Sequence, residues 1–344
     1  MTQRPATIED VARSAGVSRQ TVSNVINTPA IVREETRERV QAAIDRLAYS
    51  PHASARRLRT RRSSTIGVHL DPYAGGISGV VLDRFVHALT ERAGERGLRV
   101  MLYAARSPEE EIRRMADLRD GGDVDGVVIT GTFHGDPRTR WLVERRVPFV
   151  SFGRPWGLDD VSDPAHLWVD VDGAAGTAAA TRHALATAGA RVAFLGWPEG
   201  SGTGDDRERG WRDTLPRDAP RMRLVTEESV ALARDVVANA LAGNDPADSG
   251  IAGGVLDAIV CVSDSLAIGA HLAAVAAGCP RLPIIGFDNT PAAEALGLSS
   301  VEQLPEKVAG GALDLLIGDA GAIALREPSP GGSHVLVEPR LIVR

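Results

Sequence analysis

The sequence predicts two architectures in one chain, an all-α helix-turn-helix headpiece and an α/β body of two parallel-sheet lobes. Three observations carry this. Two short capped helical patterns flank a glycine between Thr7 and Asn27. From Thr65 onward, short apolar runs alternate with helical periodicity, as in βαβ units. The charge is also divided: residues 1–62 hold twelve arginines against six acidic residues, while the remainder holds 27 basic and 39 acidic residues within a net charge of -6. A basic head on an acidic body suits a polyanion-binding module joined to a globular body, because only the head needs to attract phosphate. With 344 residues, 43% of them apolar, the chain can pack two or three cores.

In the headpiece, Thr7 can cap a helix, and Asp10 three positions later completes a capping-box pair. Ile8, Val11, Ala12 and Ala15 then share one face, and Gly16 stops the helix. Ser18 can cap the next helix, whose inward face is Val22, Val25 and Ile26. This spacing matches a helix-turn-helix, the second helix of which enters the major groove. Arg19, Gln20 and Asn24 are left facing outward, and these residue types suit base edges: Arg on guanine, Gln or Asn on adenine. Thr7, Ser18, Thr21 and Ser23 suit phosphate oxygens. A third helix, with Val40, Ala43, Ile44 and Leu47 at i, i+3, i+4, i+7, closes the small core. The plain alternative is a three-helix interaction domain.

The run Ala53 to Arg62 sets five arginines around one large apolar residue, Leu58. Alone it repels itself and cannot bury a core. On DNA the repulsion is relieved, a short helix can form, and Leu58 can act as a wedge in the minor groove, flanked by Ala55, Arg56 and Arg59.

Residues 7–66 resemble the DNA-binding headpiece and hinge helix of the lactose/galactose repressor family of bacterial transcription regulators. The resemblance rests on TIEDVARSAGVSRQTVSNVIN, the V-x-x-x-T-R-x-x-V pattern from Val32 to Val40, LAYSP at Leu47 to Pro51, and ARRLR. It implies base reading by Arg19, Gln20 and Asn24 and intercalation by Leu58. His52 stands where the family commonly has asparagine.

In the body, TIGVHL (65–70), LRVMLYA (98–104), GVVITG (126–131) and PFVSF (148–152) read as strands buried on both faces, with helices around 78–96, 108–120 and 137–146. The pattern repeats with LWVDV (167–171), VAFLGW (192–197), LVT (224–226), AIVCVS (258–263) and PIIGF (283–287). Paired lobes of this kind bind ligands outside the carboxyl ends of their strands. Arg154, Asp71, Trp156, Trp168 and Trp197 fall near such ends.

The body resembles the effector domain of the same family, which shares its fold with periplasmic sugar-binding proteins. The markers are R-x-x-G-W at Arg207 to Trp211, IIGFDN at Ile284 to Asn289, and the terminal PRLIVR. The resemblance implies a periplasmic-binding-protein-like body whose chain crosses between lobes three times, expected near 163, 302 and 330. The first lobe is thus 65–163 and 302–330, the second 164–301 and 331–344, with a helix at 305–325 returning to the first. It further implies Arg207 and Asp288 as ligand contacts, with Ser263 where the family often has asparagine. A charged pair there can bind adjacent hydroxyls strongly.

There is no G-x-S-x-G, H-E-x-x-H or P-loop pattern, and the eight histidines lack ligand spacing. No enzyme, metal or cofactor is expected. Cys261 lies in an apolar run and Cys279 at a helix end, so neither suggests a disulfide framework. No apolar stretch spans a membrane, and MTQRPATIED lacks a signal-peptide core, so a cytoplasmic protein is expected. The expected function is an effector-controlled regulator, a homodimer on a pseudo-palindromic operator of double-stranded DNA, repressing a carbohydrate-use operon until a sugar releases it. A purine- or metabolite-corepressed regulator, or a soluble sugar-binding protein without gene control, are the alternatives.

Overall fold

The structure, a computed structural model, describes residues 6–49, 62–70, 79–156, 163, 165–243, 256–317, 322–323, 332 and 334–344. It divides into two compact units, Met1–Ser63 and Ser64–Arg344.

The first unit is helical. Helix α1 (Ile8–Ala15) begins at the capping box: the Thr7 side chain accepts from the Asp10 N–H, and the Asp10 carboxylate accepts from the Thr7 N–H at 2.9 Å. Gly16 ends α1 at φ 66°, a left-handed conformation that costs glycine little. Ser18 caps α2 (Arg19–Asn27), and α3 (Glu34–Arg46) follows a single 3-10 turn at Pro29–Ile31. Val11, Ala12, Ala15, Val22, Val25, Val40 and Ala43 form the core, with Ile26 and Ile44 packed at its edge.

In the second unit, the first sheet comprises β1 (Thr65–Leu70), β2 (Arg99–Ala104), β3 (Gly126–Thr130), β4 (Phe149–Phe152), β5 (Leu167–Val171) and β11 (His334–Val337). Its order is β11-β5-β4-β3-β1-β2 and every pairing is parallel. The second sheet comprises β6 (Val192–Gly196), β7 (Arg223–Val225), β8 (Ala258–Cys261), β9 (Ile284–Phe287), β10 (Ser299–Glu302) and β12 (Arg340–Ile342). Its order is β12-β10-β9-β8-β6-β7, parallel except for β12 on β10. Helices α4 (Gly79–Glu95), α5 (Pro108–Asp120) and α6 (Pro137–Glu144) belong with the first sheet. Helices α7 (Gly173–Thr187), α8 (Thr203–Thr214), α9 (Val230–Leu241), α10 (Asp264–Ala276) and α11 (Pro291–Ala295) belong with the second. Helix α12 (Pro305–Leu316) returns to pack on α4, β4 and β5. Fully buried Phe85 and Leu89 of α4 anchor the first lobe's core, each worth about 1.5–3 kcal/mol in apolar transfer.

Four sequence expectations need correction. Leu167–Val171 does not open the second lobe: β5 lies between β4 and β11 in the first sheet, so the first crossing follows it at Asp172 rather than near 163. The third crossing likewise falls at Glu338–Pro339, between β11 and β12, not near 330. Strand β2 is not buried on both faces, because it is the sheet edge and its Leu102 is 47% exposed. The helix expected over 305–325 ends at Leu316, after which Ile317 is extended and pairs with Ile323.

At the crossings, Glu302 accepts from Arg84 of α4 at 3.2 Å and, on its other oxygen, from Arg340 of β12 at 2.7 Å. Arg84 also forks onto Glu306 of α12 at 2.9 and 3.0 Å. Helices α7 and α8 touch through Gly210, where an added Cβ would lie 2.1 Å from the Ala174 carbonyl oxygen and 2.3 Å from Thr177 Oγ1. Gly210→Ala is therefore expected to destabilise the second unit by about 1–3 kcal/mol through overpacking. Thermal unfolding should show a lowered Tm; an unchanged Tm would mean that α8 moves away without cost.

Candidate functional site

In the first unit, α2 presents the expected outward face. Gln20 Nε2 donates to Asn24 Oδ1 at 3.0 Å, and Arg19 pairs with Glu9 of α1 at 3.0 Å. Both pairs are exposed, so each is weak and exchangeable. The hydroxyls have local partners: Thr7 donates to Asp10, the Ser18 and Thr21 hydroxyls lie 2.9 Å apart, and Ser23 accepts from Asn27. Ala55, Arg56, Leu58 and Arg59, together with His52 and Asp71, lie outside the described residues.

In the second unit, a cleft of about 210 Å³ opens between the lobes. Val81, Leu82, Thr130, Thr132, Phe152, Trp156 and Asp170 line it from the first lobe, Gly173, Thr203, Asp206 and Arg207 from the second, and Gln303 from a crossing. The carboxyl ends of β3, β4 and β5 face it from the first sheet, and the N-terminal ends of α7 and α8 from the second lobe.

Arg207 reaches the cleft because the R-x-x-G-W element fixes α8 at three points. Fully buried Trp211 donates from Nε1 to the Val192 carbonyl at 3.0 Å and stacks on Phe194. Gly210 permits contact with α7, and Thr177 Oγ1 donates to the Arg207 carbonyl at 2.6 Å. The Arg207 guanidinium, 5% exposed, then donates to the Val262 carbonyl at 2.6 Å and lies 3.7 Å over the Phe287 ring. Asp288 stands 3.9 Å from it at the end of β9, in a strained backbone conformation at φ 118°. Asp288 is not itself a wall residue, but it binds two that are: Arg207 and Gln303, whose Nε2 donates to Asp288 Oδ1 at 2.6 Å. Burial pulls the guanidinium of Arg207 down, opposed by Asp288. Burial also pushes Asp288 up to about 8, with Arg207 opposing and Asp264 adding to the rise.

The other expected residues behave differently. Arg154 does not line the cleft. Its Nε donates to Asp170 at 2.7 Å, and its Nη2 donates to the Val171 carbonyl and to Asp206 across the lobes, both at 3.2 Å. Burial lowers its pKa, but Asp170 and Asp206 outweigh that and the net shift is upward. Ser263 caps α10 and donates to Glu228 at 2.8 Å. Trp197 Nε1 donates to the same Glu228 oxygen at 2.7 Å. Trp168 packs on His334 within the first sheet, so of the three tryptophans Trp156 is the one on the cleft wall. Sequence reasoning missed Asp170, Asp206, Glu228 and Gln303. The position of Asp206, one residue before Arg207 in the first turn of a helix, was the available signal.

Three buried polar atoms on wall residues have no hydrogen-bond partner: Thr130 Oγ1, Trp156 Nε1 and Arg207 Nε. Leaving such groups unpaired costs about 1–3 kcal/mol each. Among the described residues no His/Cys/Asp/Glu group could hold a metal, and no helix is long and apolar enough to cross a membrane. Cys261 is buried and Cys279 exposed.

A carboxyl whose folded pKa lies above its unfolded value holds more protons folded than unfolded between the two. For Asp288 that interval runs from about 4, the unfolded value, to about 8. Its contribution to stability is therefore fully present below pH 4, declines as pH rises, and is gone above pH 8. Asp288→Asn should flatten this part of the Tm profile of the ligand-free protein between pH 5 and pH 8; a profile identical to wild type would exclude Asp288 as its source.

Residues 7–52 match the model described as bacterial regulatory proteins, lacI family, and residues 80–305 match the periplasmic binding proteins and sugar binding domain of the LacI family. The transcriptional regulator CelR of Thermobifida fusca is 31% identical over 99% of this chain and 98% of its own length. A solved CelR–cellobiose complex superposes with a TM-score of 0.66 at 25% identity, covering 98% of this chain and 99% of that one. The lac repressor dimer bound to operator superposes at 0.78, with 98% of both chains covered; at 23% identity that likeness is one of fold. The two matched segments, the capped helix-turn-helix and the two-lobed body with its cleft lead to one assignment: the chain belongs to the lacI family of bacterial regulatory proteins and is an effector-responsive DNA-binding transcriptional regulator, not an enzyme.

Proposed function

We propose that this regulator is a cytoplasmic homodimeric repressor whose hold on a pseudo-palindromic operator is released by a sugar bound in the interlobe cleft. The observation that carries the effector reading is the set of unpaired polar atoms, Thr130 Oγ1, Trp156 Nε1 and Arg207 Nε, on the wall of a cleft that also carries aromatic surface. A pyranose offers hydroxyl oxygens to the first and an apolar face to the second. Arg207 binds a hydroxyl with Asp288 holding it and Gln303 from behind, Arg154 and Ser263 hold the surrounding walls, and Asp71, next after the first strand in sequence, is a further contact. The relative solved with cellobiose supports a saccharide as the effector.

On DNA, Arg19, Gln20 and Asn24 read base edges, and Thr7, Ser18, Thr21 and Ser23 contact phosphates. One recognition helix spans only a few base pairs, so two copies related by a two-fold axis are needed to specify an operator. Ala55, Arg56, Leu58 and Arg59 form the minor-groove segment, with Leu58 as the wedge. Sugar binding changes the relative populations of two lobe arrangements and acts only through its different affinity for each.

The test is fluorescence anisotropy with a palindromic fragment of the promoter it controls. Salt-sensitive, palindrome-dependent binding that a sugar abolishes is expected; binding indifferent to both would reject the proposal. Gln20→Ala should lose about 1–3 kcal/mol of discrimination at one base pair per half-site while non-specific affinity holds. Leu58→Ala should reduce operator bending in a gel-mobility phasing assay, and Asp288→Ala should abolish release by the sugar with operator affinity intact. A bent complex in the first case, or full response in the second, contradicts the role given to that residue.

A further inference from the structure

We infer that the effector is an uncharged saccharide, and that Asp206 enforces this by filling from within an anion site that a phosphate group would otherwise occupy. The inference deepens the effector reading above and rests on it. The Asp206 carboxylate, on a residue 6% exposed, is met by the donor set of a phosphate site. Its Oδ2 accepts from Arg154 Nη2 at 3.2 Å and from the backbone N–H of Ala174, in the first turn of α7, at 3.1 Å. Its Oδ1 accepts from Arg209 Nη2 at 2.5 Å. Two guanidinium groups and a helix N-terminus converging on one point are what binds a phosphate in other folds. Here the anion is a side chain of the protein.

The backbone is arranged for this. Gly173, the first residue of α7, sits where an added Cβ would come within 3.0 Å of Asp206 Oδ2 and of Arg207 Cγ. Its missing side chain lets the carboxylate reach the helix end. The next free amide, that of Ala175, is taken by Asp172 Oδ1 at 2.9 Å. Arg154, the guanidinium shared with this site, is matched as well, facing Asp170 and Asp206. A phosphate group brought to this point would meet the Asp206 carboxylate, with Arg154 already engaged by Asp170 and Asp206. A neutral hydroxyl meets no such obstacle, and the unpaired Thr130 Oγ1, Trp156 Nε1 and Arg207 Nε each call for one oxygen rather than a cluster of charged ones.

The assignment makes Asp206 a specificity-determining residue, and removing its carboxylate should create a binding site for an anion. The experiment compares the full-length wild type, Asp206→Ala and Asp205→Ala by thermal shift and titration calorimetry. The probe is inorganic phosphate, set against chloride at equal ionic strength. Asp205, one residue earlier and 40% exposed beside His134, removes the same charge outside the donor set. The wild type and Asp205→Ala should show no phosphate-specific stabilisation. Asp206→Ala should begin with a lower Tm, regain part of it in phosphate but not in chloride, and bind phosphate at least about tenfold more tightly than wild type. If Asp206→Ala does not fold, Asp206→Ser in the same assays replaces it.

A folded Asp206 variant with no phosphate-specific gain would overturn the inference, as would wild-type binding of phosphate equal to that of the variant. A parallel arm adds glucose and glucose 6-phosphate to the wild-type operator complex. Release by the phosphorylated sugar would overturn charge exclusion while leaving the effector reading intact. If instead no sugar of any kind released the operator but Asp206→Ala gained phosphate, the effector reading would fall and the internal anion site would stand.

Discussion

A guanidinium removed from water must be met by acceptors, and the meeting around Arg207 is the constraint on which the body depends. Its partners come from three directions: the Val262 carbonyl beyond β8, the Phe287 ring and Asp288 carboxyl at the end of β9, and the α8 backbone held by Thr177. Each is a strand end or a helix turn, so the side chain can be satisfied only when the second lobe is assembled. Asp288 then passes the constraint to Gln303, a residue of the crossing into the first lobe. The cleft is therefore a place where secondary-structure termini of both lobes are tied together by buried polar groups, and breaking one tie leaves a charge uncompensated.

The headpiece follows a different logic. Its seven-residue buried core is just enough to fix three helices, and its functional side chains stay on the surface. Gln20 with Asn24, and Arg19 with Glu9, satisfy one another in the absence of DNA. These are low-cost pairings that a base edge can replace, and they limit the rotamers from which that exchange starts. The outward face of α2 is thus ordered by its own hydrogen bonds, whereas the cleft is ordered by burial.

Much of this could be read from the residues. Thr7, Asp10, Gly16 and Ser18 mark helix ends by chemistry that acts over three or four residues, so the headpiece was legible at that scale. The strand runs were legible for the same reason, from TIGVHL to PIIGF. What a run of apolar residues does not encode is the neighbour it pairs with: LWVDV has the same composition whether it opens one sheet or sits inside the other. Edge strands were likewise hidden, since β2 and β11 differ from buried strands by what lies beside them. Motif resemblance pointed to Arg207 and Asp288; the structure brings them within 3.9 Å, Arg207 on the cleft wall and Asp288 behind it. Asp170, Asp206, Glu228 and Gln303 were missed, because their roles arise from partners 15 to 52 residues distant in sequence. Arg154 looked like a ligand contact by position alone; only its three acceptors show that it is already engaged.

The Glu302 carboxylate, shared between Arg84 and Arg340, bears on how the lobes can turn. Interlocked apolar side chains lose their contact energy within about an ångström of displacement, which makes such a joint switch between discrete seats. Coulomb attraction falls only as the inverse of distance. A joint pinned by a carboxylate between two flexible arginines is accordingly compliant. It can swivel through intermediate angles without a steep barrier, so the discreteness of any two-position response has to come from elsewhere in the molecule.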